Sequence, residues 1–447
     1  MVGGIGRRAV KLLTLRSGRR MGVFVIVVAM KRSHRIALKP TPEQEVLFGQ
    51  HAGYARFAYN WAAGEFRAGL DVGEWLSERT LRPRWNRVKG MIAPWGTDLS
   101  QNTAKYAIID LGHAAEAWGE YRRKVKAGER PGRRVGFPRY KRRKHEQGFR
   151  ADNGPDIVRV DGKEVLLPKI GWVAIVEELR FHGSIREVTI NRTAGTWFAS
   201  FCVEDGQDPP VEKAGPTVGV DVGVGTMATG SDGTMVENPK ALARALQRLR
   251  RLDKALARSR NVHGKSNYSN RREGLYAKRR RVHARVVNVR SDNHHKATTA
   301  IAKSAGHVVV ETLNVAGMMR NRRLARAIAD AGMAGFLVKL EYKCLWYGAE
   351  YVKADRWFAS SKLCAHCGWK NDDLTLSDRE WWCGACGSLN DRDFNAAQNL
   401  EQWPGLSFPV SGRGDCVRPA MPAVVGEASN ESGETSAVRG VSDFIIF

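Results

Sequence analysis

Four cysteines in the C-terminal third of the chain have the spacing of metal ligands. Cys364 and Cys367 form one Cys-x-x-Cys pair, and Cys383 and Cys386 form a second. Two thiolates on one tight turn can bind the same ion, and two such turns about 15–20 residues apart complete a tetrahedral site. The pattern therefore predicts a zinc ribbon rather than disulfides, since only three other cysteines are scattered over the chain. A site made only of thiolates leaves no position open for water, so we expect this zinc to be structural.

Single carboxylates stand in apolar surroundings at two other places. Asp221 interrupts the run 218–226, and Glu311 follows the run 307–310; a third acidic group, Asp391 and Asp393, comes directly after the cysteines. Burying a carboxylate is costly unless it is paired or binds a metal. Two metal ions about 3.5–4 Å apart are held in nucleases by acidic residues from distant parts of the chain. Carboxylates on two strands and a helix predict a site like that of RNase H.

These segments, taken in order, resemble a known family. VGVDVGVGTMATGSDG, VVVETLNVAGMMRN and the ribbon followed by DRDFNAAQNL are similar to the three RuvC motifs and the zinc ribbon of the TnpB family, which is related to type V CRISPR effectors. The resemblance is dense from Val218 to Leu400 and looser before it. It implies an RNA-guided DNA endonuclease, in which a guide RNA from the transposon end pairs with target double-stranded DNA and one RuvC site cuts both strands.

The resemblance also implies roles for particular residues. The family's aspartate immediately precedes x-Asn-Ala, which favours Asp393 over Asp391. Asp221, Glu311 and Asp393 are then the expected ligands of two catalytic Mg²⁺ ions. For Asn395 we expect that it orients Asp393, contacts the scissile phosphate or caps a helix.

The composition indicates a polyanionic partner. The 447 residues carry 72 Lys and Arg against 46 Asp and Glu, a formal charge of +26. Cations laid on phosphates release counterions, which favours binding to nucleic acid. A membrane surface is the weaker alternative, because no lipid-anchoring signal accompanies the charge. With four of seven cysteines assigned to zinc, the remainder fits the reducing cytoplasm. We leave the oligomeric state open and expect a monomer.

Two basic segments are the expected nucleic-acid contacts. Residues 122–144 contain twelve Lys and Arg and one acid, and residues 241–303 contain eighteen and three. Aromatic rings interleaved with cations in the first segment suit an RNA or heteroduplex contact, although a solvated linker is equally compatible with it. The second predicts a basic helical pair with a leucine seam, joined by a polar turn at 264–270. The candidate contact residues are Arg139, Tyr140, Lys141, Arg142, Arg143, Arg279, Arg280 and Arg281.

Local patterns predict an α+β multidomain fold. A small wedge β-barrel (30–40 and 131–215) receives a helical recognition lobe (41–130), and an RNase H-like RuvC α/β domain (216–360 and 389–403) receives the zinc ribbon (361–388). Residues 1–29 read as an N-terminal extension without assigned function; the apolar run Met21–Met30 superficially resembles a signal peptide but is short and lacks a cleavage site. Residues 404–447 read as a disordered tail.

Individual elements are predicted with the same rules. A helix should begin behind Thr41 with a capping box, and hairpins should turn at Asp161-Gly162 and Ala194-Gly195. One helix should cover Leu324–Tyr347, and the last should begin at Asn395. The histidines His283, His294, His295 and His366 are expected at the surface or on phosphates, because hydrolysis with two metals needs no general base.

Four other functions are weighed against the same residues. A transposase could use these carboxylates for strand transfer, and a compact type V CRISPR effector would have a similar sequence. A guided DNA-binding repressor that does not cut is disfavoured, because it would have little use for intact metal ligands. A zinc-ribbon DNA-binding protein without a guide would leave the spaced carboxylates unexplained.

Overall fold

The computed structural model describes residues 10–17, 20–27, 31–129, 132–142, 148–152, 157–204, 210, 212–263, 269–375 and 377–405. Residues 264–268 of the turn predicted at 264–270, Arg143 and the tail from 406 onward lie outside these ranges. None of the helices within them combines the length and apolar character needed to cross a bilayer. The described chain forms two main sheets, each with its own helices.

The segment predicted as an N-terminal extension contains a β-hairpin. Strands β1 (Val10–Ser17) and β2 (Arg20–Val27) pair antiparallel, with Val10 opposite Val27 and Ser17 opposite Arg20. Most of the apolar run at Met21–Met30 therefore lies in a strand.

The first large sheet has seven strands, and three helices are inserted after the first of them. Its strands are β3 (Lys31–Lys39), β4 (Gly148–Asp152), β5 (Arg159–Asp161), β6 (Glu164–Leu167), β7 (Gly171–Ile175), β8 (Ser184–Thr193) and β9 (Thr196–Glu204). Their order is β4-β8-β9-β3-β7-β6-β5. Between β3 and β4 run α1 (Pro42–Asp71), α2 (Glu78–Ile92), a 3-10 turn at Pro94–Asp98 and α3 (Gln101–Lys126). These helices therefore lie between the first strand of this sheet and its other six strands.

Local chemistry explains where these elements begin and turn. Thr41 caps α1: its hydroxyl accepts from the Gln44 amide at 3.3 Å and the Gln44 side chain accepts from the Thr41 amide at 3.0 Å, which is the predicted capping box. Ala194 and Gly195 both have positive φ, as a two-residue turn between β8 and β9 requires. In the other hairpin Asp161 pairs with Glu164, so the turn lies one residue later than predicted.

The second sheet is mixed. Its strands are β10 (Thr217–Asp221), β11 (Thr226–Gly230), β12 (Met235–Glu237), β13 (His307–Val310) and β14 (Glu350–Lys353), in the order β12-β11-β10-β13-β14. The pairs β10–β11 and β11–β12 are antiparallel, whereas β10–β13 and β13–β14 are parallel. The helices are α4 (Ala241–His263), α5 (Asn270–Ser304), α6 (Val315–Met318), α7 (Ala325–Ala331), α8 (Met333–Tyr347) and α9 (Arg392–Glu401). The short strands β15 (Glu380–Trp382) and β16 (Leu389–Asp391) belong to the cysteine segment.

Two helix predictions are wrong in detail. The single helix predicted over Leu324–Tyr347 is divided into α7 and α8 at Gly332, whose φ of 69° is left-handed. A side chain there would also approach the Cδ atom of Arg290 to 2.8 Å, so glycine ends the first helix and permits the packing. The last helix begins at Arg392 rather than Asn395, because the Asp391 carboxylate caps it by accepting from the Phe394 amide at 2.8 Å.

Helix α9 packs directly onto β10. A Cβ atom at Gly219 would lie 2.0 Å from the Ala397 carbonyl oxygen and 2.4 Å from the Glu401 amide, so glycine is needed for this contact. Ala396, Ala397 and Leu400 are buried on the same side of the helix. The contact brings the N-terminus of α9 to the end of β10, where Asp221 lies.

Candidate active site and cysteine cluster

Three carboxylates come from neighbouring elements of the second sheet. Asp221 ends β10 and Glu311 follows β13; these strands are parallel, with Val220 opposite Val310. Asp393 lies in the first turn of α9. All three side chains are half-buried. The sheet edge and the helix therefore direct the three predicted acidic residues to one region.

The carboxylates repel one another. Burial raises the pKa of Asp221 well above its usual range, and the charges of Glu311 and Asp393 raise it further, against the opposing charge of Arg392 and the Val222 amide. Charge crowding in a half-buried site favours a proton or a cation on Asp221. An all-oxygen donor set of this kind suits Mg²⁺.

Asp391 and Asp393 have different surroundings. Asp391 is exposed and occupied as the helix cap, whereas the charge of Asp393 acts on Asp221. The guanidinium of Arg379, from the cysteine segment, lies 3.7 Å from Asp393 Oδ1. Asp391 is thus engaged at the helix end while Asp393 faces the other carboxylates, and the choice of Asp393 as metal ligand stays a prediction.

The four cysteines form a compact cluster. Their sulfur atoms all lie within 4.8 Å of one another, with 3.8 Å between Cys364 and Cys386 and 3.5 Å between Cys367 and Cys383. Zn–S bonds of about 2.3 Å in a tetrahedron require sulfur separations of about 3.8 Å. Within the described ranges no other group of three or more potential ligands lies this close together. The carboxylates Asp221, Glu311 and Asp393 therefore do not form such a group. The cluster fits a zinc ribbon, as predicted.

Backbone turns explain how the cysteines converge. Gly368 and Gly387 follow the second cysteine of each pair with φ of 77° and 69°, and their amides donate to the carbonyls of Cys364 and Cys383. The Ser388 hydroxyl lies 3.4 Å from Cys364 Sγ and 3.2 Å from Cys386 Sγ. Ser388 was not predicted from the sequence. Its position directly after Gly387, at the turn of the second cysteine pair, could have indicated a contact with the sulfur atoms.

Two buried asparagines on α9 connect the cluster to the carboxylates. The Asn395 side chain donates to the Leu363 carbonyl at 2.6 Å and accepts from the Ala365 amide at 2.8 Å. Asn399, one turn later, donates to the carbonyls of Ser360 at 2.9 Å and Leu363 at 2.7 Å. Asn395 thus holds the entry to the ribbon, and the predicted roles as a cap or as a partner of Asp393 are not what its contacts show. The i, i+4 spacing of the two asparagines on an otherwise apolar helix face could have indicated that they share a buried polar contact.

The entry to the ribbon also reaches Glu311. The buried Ser360 hydroxyl donates a short hydrogen bond to Glu311 Oε1. Because Asn399 binds the backbone of Ser360, α9 supplies one acidic residue and also fixes the hydroxyl that orients another. Ser360 was not among the predicted site residues.

Within the first basic segment, Tyr140 and Lys141 contact α1. Asn60 holds Lys141 through both backbone groups, at 3.0 and 2.7 Å. Tyr140 is 48% exposed, with the Arg67 guanidinium 5.5 Å from its ring centroid. Arg139 and Arg142 are exposed. This part of the segment is anchored, in contrast to the linker interpretation.

The predicted arginines of the helical pair lie on α5. Arg279 bonds to Asp253 at 2.7 Å and Arg280 to Glu273 at 2.6 Å, while Arg281 is exposed. Ion pairs between exposed groups contribute only about 0–1 kcal/mol, so phosphates can replace these partners.

His294 and one ribbon tryptophan are buried in the fold. His294, expected at the surface, is 2% exposed; its ring nitrogen bonds to the Ala331 carbonyl at 3.0 Å, and burial together with Lys339 lowers its pKa to about 4. That expectation is wrong because the ring packs edge-on against Phe336 and beside Gly332, where the chain passes from α7 to α8. Of the three ribbon tryptophans, Trp381 is buried, whereas Trp382 is 69% exposed and Trp369 39%.

Comparison with known proteins decides the family. The chain is 35% identical over 427 residues to "Putative RNA-guided DNA endonuclease Rv2885c" of Mycobacterium tuberculosis, covering 85% of this chain and 88% of that one. Residues 200–322 match the OrfB_IS605 family, described as "Probable transposase". A shorter match, 30% identical over 138 residues, is to "TnpB-like protein L79" of Acanthamoeba polyphaga mimivirus, covering 30% of this chain and 26% of that one.

The chain belongs to the TnpB family.

Further matches cover other parts of this TnpB protein. Residues 334–400 match "Cas12f1-like, TNB domain" and residues 30–65 match "Helix-turn-helix domain". "Putative RNA-guided DNA endonuclease InsQ" of Escherichia coli is 28% identical, covering 83% of this chain and 92% of that one. The solved "mini-RNA-guided endonuclease CRISPR-Cas_phi3" aligns with a TM-score of 0.40 at 9% identity over 87% of this chain and 94% of that one, too low to establish a shared fold.

Proposed function

We propose that this TnpB protein is an RNA-guided DNA endonuclease that hydrolyses phosphodiester bonds of guide-matched DNA. The observation that supports this most directly is the meeting of Asp221, Glu311 and Asp393 at the ends of two parallel strands and a helix. The names of its full-length relatives point the same way.

The carboxylates would hold two Mg²⁺ ions. When bound, these ions supply activation of water and stabilisation of charge on the phosphate and the leaving 3′ oxygen. Asp221 would contribute a shared ligand, since the charges of both Glu311 and Asp393 act on it. Ser360 keeps Glu311 in one orientation through its hydroxyl. The four cysteines would hold a structural Zn²⁺ without taking part in hydrolysis.

We also propose roles for the domains and for the nucleic-acid contacts. The seven-stranded sheet would be the wedge domain, the three inserted helices the recognition lobe, and the second sheet the RuvC domain. Guide RNA from the transposon end and target double-stranded DNA would contact the anchored residues Arg139–Arg142 and the arginines of α5. Arg143 is proposed with them on sequence alone. We propose a monomeric, cytoplasmic protein.

The test is to purify the protein expressed with its native flanking DNA and to sequence the RNA that accompanies it. A matching plasmid and Mg²⁺ are then supplied. We expect a discrete RNA and cutting that depends on its 3′ sequence. Bound RNA without cutting would indicate a repressor. The absence of bound RNA would contradict the proposal that an RNA guides this protein to its target.

A pair of neighbouring aspartates gives a matched control. Asp393→Asn should abolish cutting because it removes a metal ligand, whereas Asp391→Asn should retain it because asparagine caps a helix as well as aspartate does. If both variants cut like the wild type, the assignment of the site is wrong.

A further inference from the structure

One tryptophan beside the carboxylates is left in solvent. Trp357 is 82% exposed, more than any other tryptophan in the described part of the chain; the next is Trp382 at 69%. It lies in the loop between β14 and the ribbon. Single exposed apolar residues are common on proteins, so its position and its support decide whether it has a role.

Both ends of this loop are attached next to Glu311. At the first end the Ala354 amide donates to the Val310 carbonyl at 2.8 Å, and its carbonyl accepts from the Thr312 hydroxyl at 2.6 Å. These two contacts lie on either side of Glu311 in the chain. At the other end the Ser360 hydroxyl bonds to Glu311 itself. Trp357 is three residues from each end, hence within about 10 Å of chain from both.

The loop is braced so that the ring points outward. The Trp357 amide donates to the Asp355 carboxylate at 2.8 Å, and the Phe358 amide donates to the Asp355 carbonyl at 3.2 Å. Phe358 packs against the small core formed by Val309, Ala354 and Leu400. With its neighbour held in that core by a tight turn, Trp357 is presented to solvent in a fixed place.

A cation accompanies the ring. The Arg356 guanidinium carbon lies 5.2 Å from the centroid of Trp357. A ring next to a cation matches an unpaired nucleotide, whose base stacks on the ring and whose phosphate binds the cation. A duplex hides the faces of its bases, so the pair suits a single strand. The charge of +26 favours nucleic acid over an apolar peptide.

We propose that Trp357 and Arg356 bind the unpaired DNA strand beside the scissile phosphate, with one base stacked on Trp357. This inference rests on the proposed nuclease function and adds the contact that positions the substrate strand. The contact affects strand binding and the place of the cut, while the carboxylates perform the hydrolysis.

The first test is a double-mutant cycle in cleavage. Wild type, Trp357→Ala, Trp357→Phe and the control Trp172→Ala, which changes an exposed tryptophan of the other sheet, are compared on targets with one abasic residue at successive positions near the cut. Trp357→Ala should lower kcat/KM by about 10-fold to 100-fold, the effect of losing one stacked base, and Trp357→Phe should restore most of it. At one position, the abasic residue should lower kcat/KM of the wild type by a similar factor and should leave kcat/KM of Trp357→Ala almost unchanged. Equal losses at every position for both proteins would overturn the proposal.

The second test does not need cleavage. The Asp221→Asn protein, with guide and target, is irradiated on strands carrying 5-bromodeoxyuridine at those positions, and crosslinked peptides are identified by mass spectrometry. We expect a crosslink to Trp357 at the position found in the first test. Crosslinks that avoid the 354–360 loop would overturn the strand contact. Absence of wild-type cutting together with this crosslink would instead contradict the proposed function and leave the strand contact supported.

Discussion

Asn399 should determine how firmly the ribbon entry is held against the carboxylate site. Its side chain is 2% exposed and donates to two carbonyls, those of Ser360 and Leu363. Asn399→Ala leaves the Ser360 carbonyl without this donor, at about 1–3 kcal/mol, and removes one of two donors to the Leu363 carbonyl, which keeps Asn395, at about 1 kcal/mol; the sum is about 2–4 kcal/mol. Alanine is a better helix former than asparagine, so the loss would not come from α9 itself.

Hydrogen exchange of residues 360–366, followed by mass spectrometry, measures this change locally. The segment includes the Ala365 amide, which is protected by Asn395. Since 1.4 kcal/mol is a factor of ten, exchange through local opening should accelerate about 30-fold to 700-fold. Affinity for Mn²⁺ at the carboxylates should fall about 10-fold, because Ser360 no longer fixes Glu311.

The matched control is Gln398→Ala, the half-buried neighbour on the same helix. It should leave both exchange and Mn²⁺ affinity near wild-type values. Exchange of 360–366 in Asn399→Ala at the wild-type rate would refute the inference that the asparagine holds this segment. Faster exchange with unchanged Mn²⁺ affinity would refute only the link to Glu311.

Three further predictions follow from the same contacts. Burial raises the folded-state pKa of Asp221, so its ionisation destabilises the fold as pH rises from about 4 toward that pKa. After treatment with a chelator, Asp221→Asn should therefore have a Tm about 3 °C or more above that of the wild type at pH 7. This difference in Tm should shrink toward about pH 4. Ser388→Ala should weaken zinc binding about 10-fold in competition with a chelating dye, whereas Ser377→Ala should not. Gly219→Ala should cost about 3 kcal/mol or more in urea unfolding, because its Cβ would overlap the Ala397 carbonyl; a small change would mean that α9 can move away from β10.

Features set by a few neighbouring residues were predictable from the sequence. The capping box at Thr41 and the turn at Ala194-Gly195 depend on side-chain and backbone preferences within four residues. The four cysteines were identified because zinc imposes a spacing on each pair. Asp221 and Glu311 became candidates because a lone carboxylate beside an apolar run needs a partner, and Asp393 became one through the resemblance to the family motif.

Features that depend on distant partners were not predictable. Asn395 looks like a helix cap in the sequence, and only the fold places it against Leu363 and Ala365. Gly332 lies in a pattern that stays helical on both sides, so the break became visible only with Arg290 beside it. His294 was assigned to the surface because its neighbours are polar, while its burial depends on α7 and α8.

The packing of α9 against β10 has a consequence for biosynthesis. Asp393 occurs more than 170 residues after Asp221, and the ribbon separates it from the rest of the second sheet. A nascent chain that has already made Asp221 and Glu311 still lacks the third acidic residue and the asparagines that seat the ribbon entry. Chains that stop before α9 would lack the proposed third metal ligand, so we expect cutting activity only after α9 has been synthesised.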